Sequence, residues 1–216
     1  MKLYINATAR GEGKTMEPST GELQGQNLEM PDAAVTFYSG FMPEQEADAC
    51  FEALAAQTVW KQETIKLYGK VLDIPRLTAW YGDAGKTYTY SGITVTPEPW
   101  TPELLHIRVR VEAIAGVAFN SVLLNYYRDQ RDSVSWHSDD EPELGTNPII
   151  ASVSFGAKRP FQLKHRTDPK LRTSVELTHG SLLLMYGTTQ HYWKHQIPKS
   201  TKTHEPRINL TFRIIR

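Results

Sequence analysis

Several features that would restrict where this protein works are missing from its sequence. The 216 residues include a single cysteine, Cys50, which excludes an internal disulfide and favours a reducing compartment. There is no apolar run long enough to span a bilayer and no signal-peptide pattern, so we expect no membrane association and a cytoplasmic protein, or a nuclear one in a eukaryote. The 24 basic and 24 acidic residues cancel, so any contact with nucleic acid must come from local basic segments.

What remains is the composition of an ordinary globular protein, with 40% hydrophobic and 22% charged residues. Residues 1–30 have no sustained apolar period and are rich in polar residues and glycine, which predicts a poorly ordered N-terminal extension. The rest of the chain fits one domain over residues 31–216. Within it, helices and loops are expected over 31–120 and a strand-rich half over 121–216. We expect a monomer.

Apolar residues at three- and four-residue spacing after Pro43 predict a helix over Glu44–Gln57. A second helix is predicted from Pro102 to about Ala115, ended by Gly116. Eight short strands separated by turn residues follow: 121–127, 133–137, 149–155, 161–164, 174–177, 181–186, 191–196 and 209–215. This pattern predicts an α+β, mainly β fold, an antiparallel sandwich or jelly roll with helices packed outside.

A histidine and a carboxylate two residues apart, His137 and Asp139, could share one face of a strand and point at one metal ion. His195 is the leading candidate for a third ligand. His191 is its rival, because the spacing of four residues gives both histidines the same strand face. Two histidines and one carboxylate are the ligands of non-haem Fe(II) oxygenases. Taken alone, the motif is a weak signal and more often indicates a surface histidine beside an acidic turn.

The last strand, Arg207–Arg213, alternates between apolar and polar residues without a slip. Its polar face carries two arginines, which are costly to bury without a partner. That face could be exposed on an outer sheet, or it could line a cavity and bind an anion, since the planar guanidinium of arginine suits a carboxylate. Asn125 and Tyr127 share a face of another predicted strand and are good hydrogen-bond partners for a small diacid.

With these residues the sequence resembles the AlkB-type Fe(II)- and 2-oxoglutarate-dependent dioxygenases, and within them the branch that repairs alkylated bases in duplex DNA. The motifs that carry the resemblance are Tyr81–Gly85, His137–Glu141, Ala151–Ala157, His179–Leu182 and Arg207–Arg213. The resemblance implies a double-stranded β-helix, or jelly-roll, core preceded by a region of nucleotide-recognition loops. It therefore agrees with the fold that the strand pattern predicts.

The resemblance also implies roles for individual residues. The iron ligands it implies are His137, Asp139 and His195, with His195 preferred over His191. It assigns Arg207 to the distal carboxylate of 2-oxoglutarate, and further co-substrate contacts to Asn125, Tyr127, Asn209, Thr211 and Arg213. The implied cofactors are Fe(II), 2-oxoglutarate as co-substrate, and O2.

On the substrate side, the resemblance places a finger loop at Tyr68, Gly69 and Lys70, aromatic residues beside the flipped base at Tyr88 and Tyr90, and acidic groups at the base edge at Asp140 and Glu141. The duplex-repair pattern has phenylalanine where this chain has Tyr68. Four basic segments are expected to contact phosphates: 158–159, 164–166, 170–172 and 194–202.

The activity implied is oxidative demethylation of 1-methyladenine and 3-methylcytosine in nucleic acid, with DNA favoured over RNA. The products would be formaldehyde, succinate and carbon dioxide. Two alternatives stay open at this point. One is a dioxygenase of the same class that acts on RNA, protein or a small molecule. The other is a non-catalytic reader of damaged nucleic acid in which the metal site is unused.

Overall fold

The computed structural model describes residues 23–67, 69–86, 88–90 and 93–216. Residues 1–22, which make up most of the expected extension, lie outside these ranges, as does Tyr68 of the expected finger loop. For Tyr88 and Tyr90 the backbone is described and the side chains are not. Within the described ranges, no helix is long and apolar enough to cross a membrane.

The chain forms fifteen strands and three α-helices within the described residues. In chain order they are β1 (Gln26–Asn27), β2 (Ala34–Tyr38), α1 (Glu44–Gln57), β3 (Thr64–Leu67), β4 (Lys70–Asp73), β5 (Leu77–Gly82), β6 (Tyr88–Tyr90), β7 (Ile93–Val95), α2 (Pro102–Ala115), β8 (Ser121–Tyr127), β9 (Val134–His137), β10 (Ile150–Gly156), β11 (Arg159–His165), β12 (Arg172–Leu177), β13 (Ser181–Tyr186), α3 (Thr189–Tyr192), β14 (Trp193–Ile197) and β15 (Arg207–Arg213). A single 3₁₀ turn covers Pro142–Leu144.

Two antiparallel sheets make up the core. The larger one has seven strands in the order β1-β2-β13-β10-β15-β8-β5, and the smaller one has four in the order β12-β11-β14-β9. Two hairpins, β3–β4 and β6–β7, stand apart from these sheets. Helices α1 and α2 share a hydrophobic cluster with one face of the larger sheet, and a second cluster joins its other face to the smaller sheet. The predicted jelly roll with helices outside is therefore confirmed.

The two long helices follow from signals in the sequence. Pro43 precedes α1, which buries Ala47, Cys50 and Leu54 on one face. At the start of α2 the Thr101 side chain accepts a hydrogen bond from the backbone of Leu104, as expected of a threonine cap. Gly116 ends α2 in the left-handed conformation, with φ of 68°.

The structure has strands β2–β7 within the part expected to form helices and loops, and it differs from the predicted elements in two further segments. Residues 26–27, within the stretch assigned to the extension, pair with β2, and Leu28 packs against the second hydrophobic cluster. Residues 189–192 form the one-turn helix α3 instead of extending the following strand. His191 therefore does not share a strand face with His195. The predicted strand over residues 191–196 was wrong at its first two positions because a helical turn intervenes.

We expect Gly156→Ala to destabilise the fold, because Gly156 has φ of +81° and an added Cβ would lie 2.4 Å from the backbone oxygen of Pro206. The left-handed conformation alone costs a residue with a side chain about 1–2 kcal/mol, and the clash adds to this. A fall in Tm of about 2–8 °C or more should follow, since 1 kcal/mol shifts the Tm of a domain of this size by roughly 2–4 °C.

Gly40→Ala is the matched control, because nothing lies within 4 Å of its added Cβ and its φ is not positive. Thermal unfolding followed by circular dichroism measures both variants. Equal Tm values for the two would show that the strand end tolerates a side chain.

Candidate active site

Three potential metal ligands from distant parts of the sequence come together between the two sheets. One ligand atom from each of His137, Asp139 and His195 lies within 4.8 Å of the others. Asp139 is 2% exposed and His195 5% exposed. Within the described residues this is the one group of three or more such side chains close enough to hold a metal ion.

Strand pairing brings the two histidines together. His195 of β14 stands directly opposite His137, the last residue of β9, and their ring centroids are 4.3 Å apart. The pairing shifts register at a β-bulge, so that Val134 and His137 both line the same cavity although they are an odd number of residues apart. The spacing of Asp139 from His137 had suggested that both lie on one strand. Asp139 lies instead in the loop beyond the end of β9.

Neighbouring groups fix that loop. The backbone N–H of Asp139 donates to Oε1 of Gln190 at 2.9 Å, and the hydroxyl of Ser138 donates to the carbonyl of Trp193 at 2.9 Å. Gln190 lies in α3 and is 1% exposed. Helix α3 thus holds the carboxylate of the triad in place. Sequence reasoning missed Gln190, because nothing local in the sequence indicates a contact with a residue about fifty positions earlier.

The protonation states suit a divalent metal. Nδ1 of His137 donates to the carbonyl of Ser135 at 2.8 Å, which leaves the lone pair of Nε2 free for a metal. Burial, together with the charge of His137, lowers the pKa of His195 to about 3, so His195 is neutral at physiological pH. Burial acts to raise the pKa of Asp139, but the cations around it, Arg213 above all, lower it to about 2.

Two imidazoles and one carboxylate therefore face one point, which is the donor set that Fe(II) takes in non-haem oxygenases. Arg213 contributes directly, because its Nη2 donates to Oδ1 of Asp139 at 2.5 Å. The sequence assigned Arg213 to the co-substrate. The structure places it on the carboxylate of the triad, and Arg213 also lines the adjoining cavity.

That cavity lies between the sheets and continues from the triad along β8, β10 and β15. The predicted co-substrate residues that line it are Asn125, Tyr127, Arg207, Asn209, Thr211 and Arg213. The polar face of β15 is buried, with Arg207 1% exposed, which decides against the exposed outer sheet that the sequence left open. The structure therefore brings the predicted metal residues and the predicted co-substrate residues into one site.

Arg207 has the properties of an anion receptor. Its Nη2 donates to the hydroxyl of Ser154 at 2.9 Å, whereas its Nε and Nη1 are buried and have no hydrogen-bond partner among the described residues. No carboxylate of the described residues forms an ion pair with it. Burial lowers its pKa to about 10, with a partial offset from Tyr127, so the guanidinium is still charged at neutral pH. A buried cation with open donors fits the distal carboxylate of a diacid such as 2-oxoglutarate.

The other cavity residues are already tied together by hydrogen bonds. The amide of Asn209 donates to the hydroxyl of Ser152 at 2.8 Å, and Oδ1 of Asn209 accepts from Thr211 at 3.1 Å. Oδ1 of Asn125 accepts from Nε of Arg76 at 2.7 Å. Such bonds hold the wall of the cavity in one shape before any ligand binds.

Sequence reasoning missed Arg76 and the serines of β10. Arg76 lies in the connection before β5, where no periodic pattern indicates which way a side chain points. Ser152 and Ser154 could have been found, because they alternate with Val153 and Phe155 in the same manner as the polar face of β15.

The substrate-side residues are only partly described. Asp140 is exposed and pairs with Nη1 of Arg166 at 2.8 Å, and Oε2 of Glu141 is buried without a partner in the described part of the chain. Gly69 and Lys70 lie at the exposed end of the β3–β4 hairpin. The side chains of the expected aromatic residues, Tyr68, Tyr88 and Tyr90, fall outside the description.

Comparison with known proteins identifies relatives over most of the chain. A family model described as the 2OG-Fe(II) oxygenase superfamily matches residues 34–213. The chain is 46% identical over 190 residues to the human alpha-ketoglutarate-dependent dioxygenase alkB homolog 3, covering 84% of this chain and 66% of that protein. Against the cattle (Bos taurus) homolog 3 it is 48% identical over 185 residues, covering 82% of this chain. The chain thus spans 64–66% of the length of these two relatives.

The human DNA oxidative demethylase ALKBH2 is 40% identical over 213 residues, which cover 94% of this chain and 79% of that protein. Among solved structures, OsALKBH1 superposes with a TM-score of 0.58 at 16% identity, covering 88% of this chain and all of that one. At that identity the superposition supports the fold alone.

We expect His137→Ala, Asp139→Ala and His195→Ala each to abolish turnover and to weaken Fe(II) binding by at least about 10-fold, the size of effect that even the outer partners of metal ligands produce. Anaerobic titration with Fe(II), and with Co(II) as a spectroscopic substitute, measures the affinity.

His191→Ala is the control for these variants. His191 is exposed, and its Nε2 lies 2.9 Å from Oδ1 of Asn147, outside the triad. It should bind metal as the wild type does. Loss of metal in His191→Ala together with retention in His195→Ala would overturn the ligand assignment.

Arg207→Lys should raise the KM for 2-oxoglutarate strongly and leave the affinity for oligonucleotides little changed. The substitution keeps the charge and loses the planar guanidinium that binds a carboxylate through two parallel hydrogen bonds. Steady-state kinetics with varied 2-oxoglutarate and a separate oligonucleotide titration measure the two effects. Equal loss of both would count against a dedicated carboxylate site.

Proposed function

This chain belongs to the 2OG-Fe(II) oxygenase superfamily, and we propose that it is a dioxygenase that oxidatively demethylates N-alkylated bases in nucleic acid, DNA in preference to RNA. 1-Methyladenine and 3-methylcytosine are the proposed substrates. The observation that carries the proposal is the single cavity that holds both the His137–Asp139–His195 triad and the unfilled donors of Arg207. The names of its relatives, an alkB homolog 3 and a DNA oxidative demethylase, support the choice of substrate.

In this proposal His137, Asp139 and His195 would hold Fe(II), and Arg207 would hold the far carboxylate of 2-oxoglutarate. With both bound, the site supplies oxidation of an N-methyl group by O2, coupled to conversion of 2-oxoglutarate to succinate and carbon dioxide, and the methyl carbon leaves as formaldehyde. The protein itself binds and orients the metal, the co-substrate and the base, and it excludes water from the site. Arg213 keeps Asp139 ionised through a direct hydrogen bond.

The depth of the site determines how a base can reach it. Asp139 and His195 are almost fully buried, so a base within a helix must leave the stack to present its methyl group. We propose that Asp140 and Glu141, next to the ligand Asp139, receive the exocyclic amino group of that base. Oε2 of Glu141 is buried without a partner in the described chain, so it has a free acceptor for such a hydrogen bond. Tyr88 and Tyr90 are proposed to flank the base.

The β3–β4 hairpin is the proposed finger that fills the gap left by the base. Its strands pair from Thr64 with Asp73 to Leu67 with Lys70, so Tyr68 and Gly69 separate them. Val71 and Leu72 are exposed on the hairpin, 67% and 45% respectively. Three residues after the hairpin, Arg76 lines the cavity. The hairpin therefore leaves the domain at the edge of the site, with apolar side chains facing outward.

The experiment that tests the function measures formaldehyde release from four matched oligonucleotides that carry 1-methyladenine, as single strands and duplexes of DNA and of RNA. We expect turnover that needs Fe(II) and 2-oxoglutarate and is highest on DNA. Binding of the oligonucleotides without formation of succinate or formaldehyde would indicate a non-catalytic reader of damaged nucleic acid. Turnover of 2-oxoglutarate with no formaldehyde from any oligonucleotide would point to a substrate other than nucleic acid.

In the same assay Tyr68→Ala should lower activity on duplex DNA far more than on single strands. Flipping a base out of a duplex costs a few kcal/mol, and stacking an aromatic ring on a base returns roughly 1–3 kcal/mol of it. Tyr68→Phe is the matched control and should keep or raise duplex activity, because it keeps the ring and removes a hydroxyl that must be desolvated. A duplex-to-single-strand ratio unchanged in Tyr68→Ala would remove the finger from the proposal.

A further inference from the structure

We infer that the outer face of the smaller sheet binds the phosphate backbone of the nucleic acid outside the reaction cavity. The binding surface is a cationic row formed by Arg172 of β12, Lys164 of β11 and Lys194 of β14. This inference rests on the proposed function. It adds the place at which the nucleic-acid strand on either side of the target base is held.

Strand register defines the row. Lys164 stands directly opposite Arg172 on one side and directly opposite Lys194 on the other. Side chains directly opposite each other on adjacent strands share a face, so the row crosses three strands at right angles to their direction. Its length is about 10 Å, two strand spacings of 4.7–4.9 Å. About three phosphates of one strand occupy that length of a DNA axis, at 3.4 Å each.

The row faces away from the cavity. Leu163 and His165, on either side of Lys164 in β11, are buried, and so are Trp193 and His195 on either side of Lys194 in β14. Because side chains alternate along a strand, Lys164 and Lys194 project to the opposite, outer face. His195 inside and Lys194 outside are consecutive residues, so the row lies on the reverse side of the strand that supplies a metal ligand.

The arrangement is unfavourable for the isolated protein. Like charges directly opposite each other on neighbouring strands destabilise a sheet. None of the three cations forms an ion pair with an acidic group of the described residues. The contact recorded for Arg172 is a hydrogen bond from its Nε to the carbonyl of Pro169 at 3.1 Å, which leaves its charge uncompensated. A polyanion that lies across the row would relieve this repulsion.

Two arginines of the same segments are already engaged. Arg159 is 1% exposed and donates to the carbonyls of Asp129, Asp132 and Pro198, so it cannot meet a phosphate. Arg166 pairs with Asp140 at 2.8 Å. The structure thus separates the row from neighbours that the sequence grouped with it.

An aromatic residue locates the row relative to the site. Nζ of Lys164 lies 4.3 Å from the centroid of the Trp136 ring. Such a contact between a cation and an aromatic face is worth about 0.5–1 kcal/mol at an exposed site, enough to hold the lysine in the middle of the row. Trp136 precedes His137 on β9, the edge strand of the smaller sheet. A nucleic-acid strand that leaves the cavity around the β9 edge of the sheet therefore meets the row next.

The test compares two double variants that lose the same charge. Lys164→Gln/Lys194→Gln removes two members of the row. Lys158→Gln/Lys202→Gln is the control. The sequence placed both lysines in segments expected to contact phosphates, but both are exposed beyond the end of β11 and β14 that lies away from the row, so the inference leaves them out of the binding surface. Binding of a methylated 15-nucleotide DNA, as single strand and as duplex, is titrated over a series of salt concentrations. Release of formaldehyde from a methylated trinucleotide, too short to reach the row, is measured alongside.

We expect the row variant to bind the 15-nucleotide DNA roughly 10-fold more weakly at low salt, and its salt slope to fall by about 1.4–1.8, two phosphate contacts at 0.7–0.9 each. Its activity on the trinucleotide and its KM for 2-oxoglutarate should match the wild type. Its Tm should stay close to that of the wild type, because the removal of opposed like charges offsets the loss of the contact between Lys164 and Trp136. The control variant should keep the wild-type salt slope. Lys164→Arg in place of Lys164→Gln in the row variant should restore most of the binding of the 15-nucleotide DNA.

The single-strand and duplex arms identify the source of the phosphates. Loss in both arms assigns them to the strand that carries the target base, and loss in the duplex alone assigns them to its complement. Equal losses in the row variant and the control would reduce the effect to net charge and overturn the inference, as would an unchanged slope in the row variant. If the wild type releases no formaldehyde from the trinucleotide, it is the proposed function that fails.

Discussion

A buried guanidinium with no carboxylate partner in the described part of the chain is the constraint on which the site depends. Arg207 is 1% exposed, and a lone ion taken out of water costs several kcal/mol when nothing compensates its charge. The fold tolerates this because β15 is hydrogen-bonded on both edges, to β10 and to β8, and its other face carries Ile208, Leu210 and Phe212 into the helix-covered core. Packing of the apolar face of β15 therefore stabilises the strand. This stabilisation offsets the cost of burying Arg207, the anion receptor, on the opposite face.

The same strand positions both ends of the reaction cavity. Arg207 and Arg213 are an even number of residues apart and so share a face, yet their surroundings give them different tasks. Arg213 meets Asp139 and keeps that carboxylate ionised, whereas Arg207 keeps open donors for a ligand. Both arginines are fixed on the same rigid strand, β15. Their spacing therefore sets the distance between the metal end of the site, at Arg213, and its anion end, at Arg207.

Local periodicity was enough to predict the main elements that carry this arrangement, whereas the roles of the site residues came from the family resemblance. Alternation along β15 and the start and end signals of the two long helices depend on neighbouring residues alone, and those parts of the fold agree with the structure. The misses share a different cause. Gln190 and Arg76 act through contacts with residues far along the chain, and a helical turn removes His191 from the strand. Asp139 lies in the loop beyond the end of β9, so the period-two rule on which the spacing argument relied does not apply to it.

The place of β15 in the larger sheet has a consequence for how the chain folds. The last strand of the sequence is not at an edge but between β10 and β8, near the centre of the sheet. Until it inserts, β8 and β10 present open edges, which are templates for pairing with other chains. Long-range closure of this kind is slow, and the partly folded species are prone to aggregate. A chain in which β15 has not yet inserted therefore has the greatest need of chaperones.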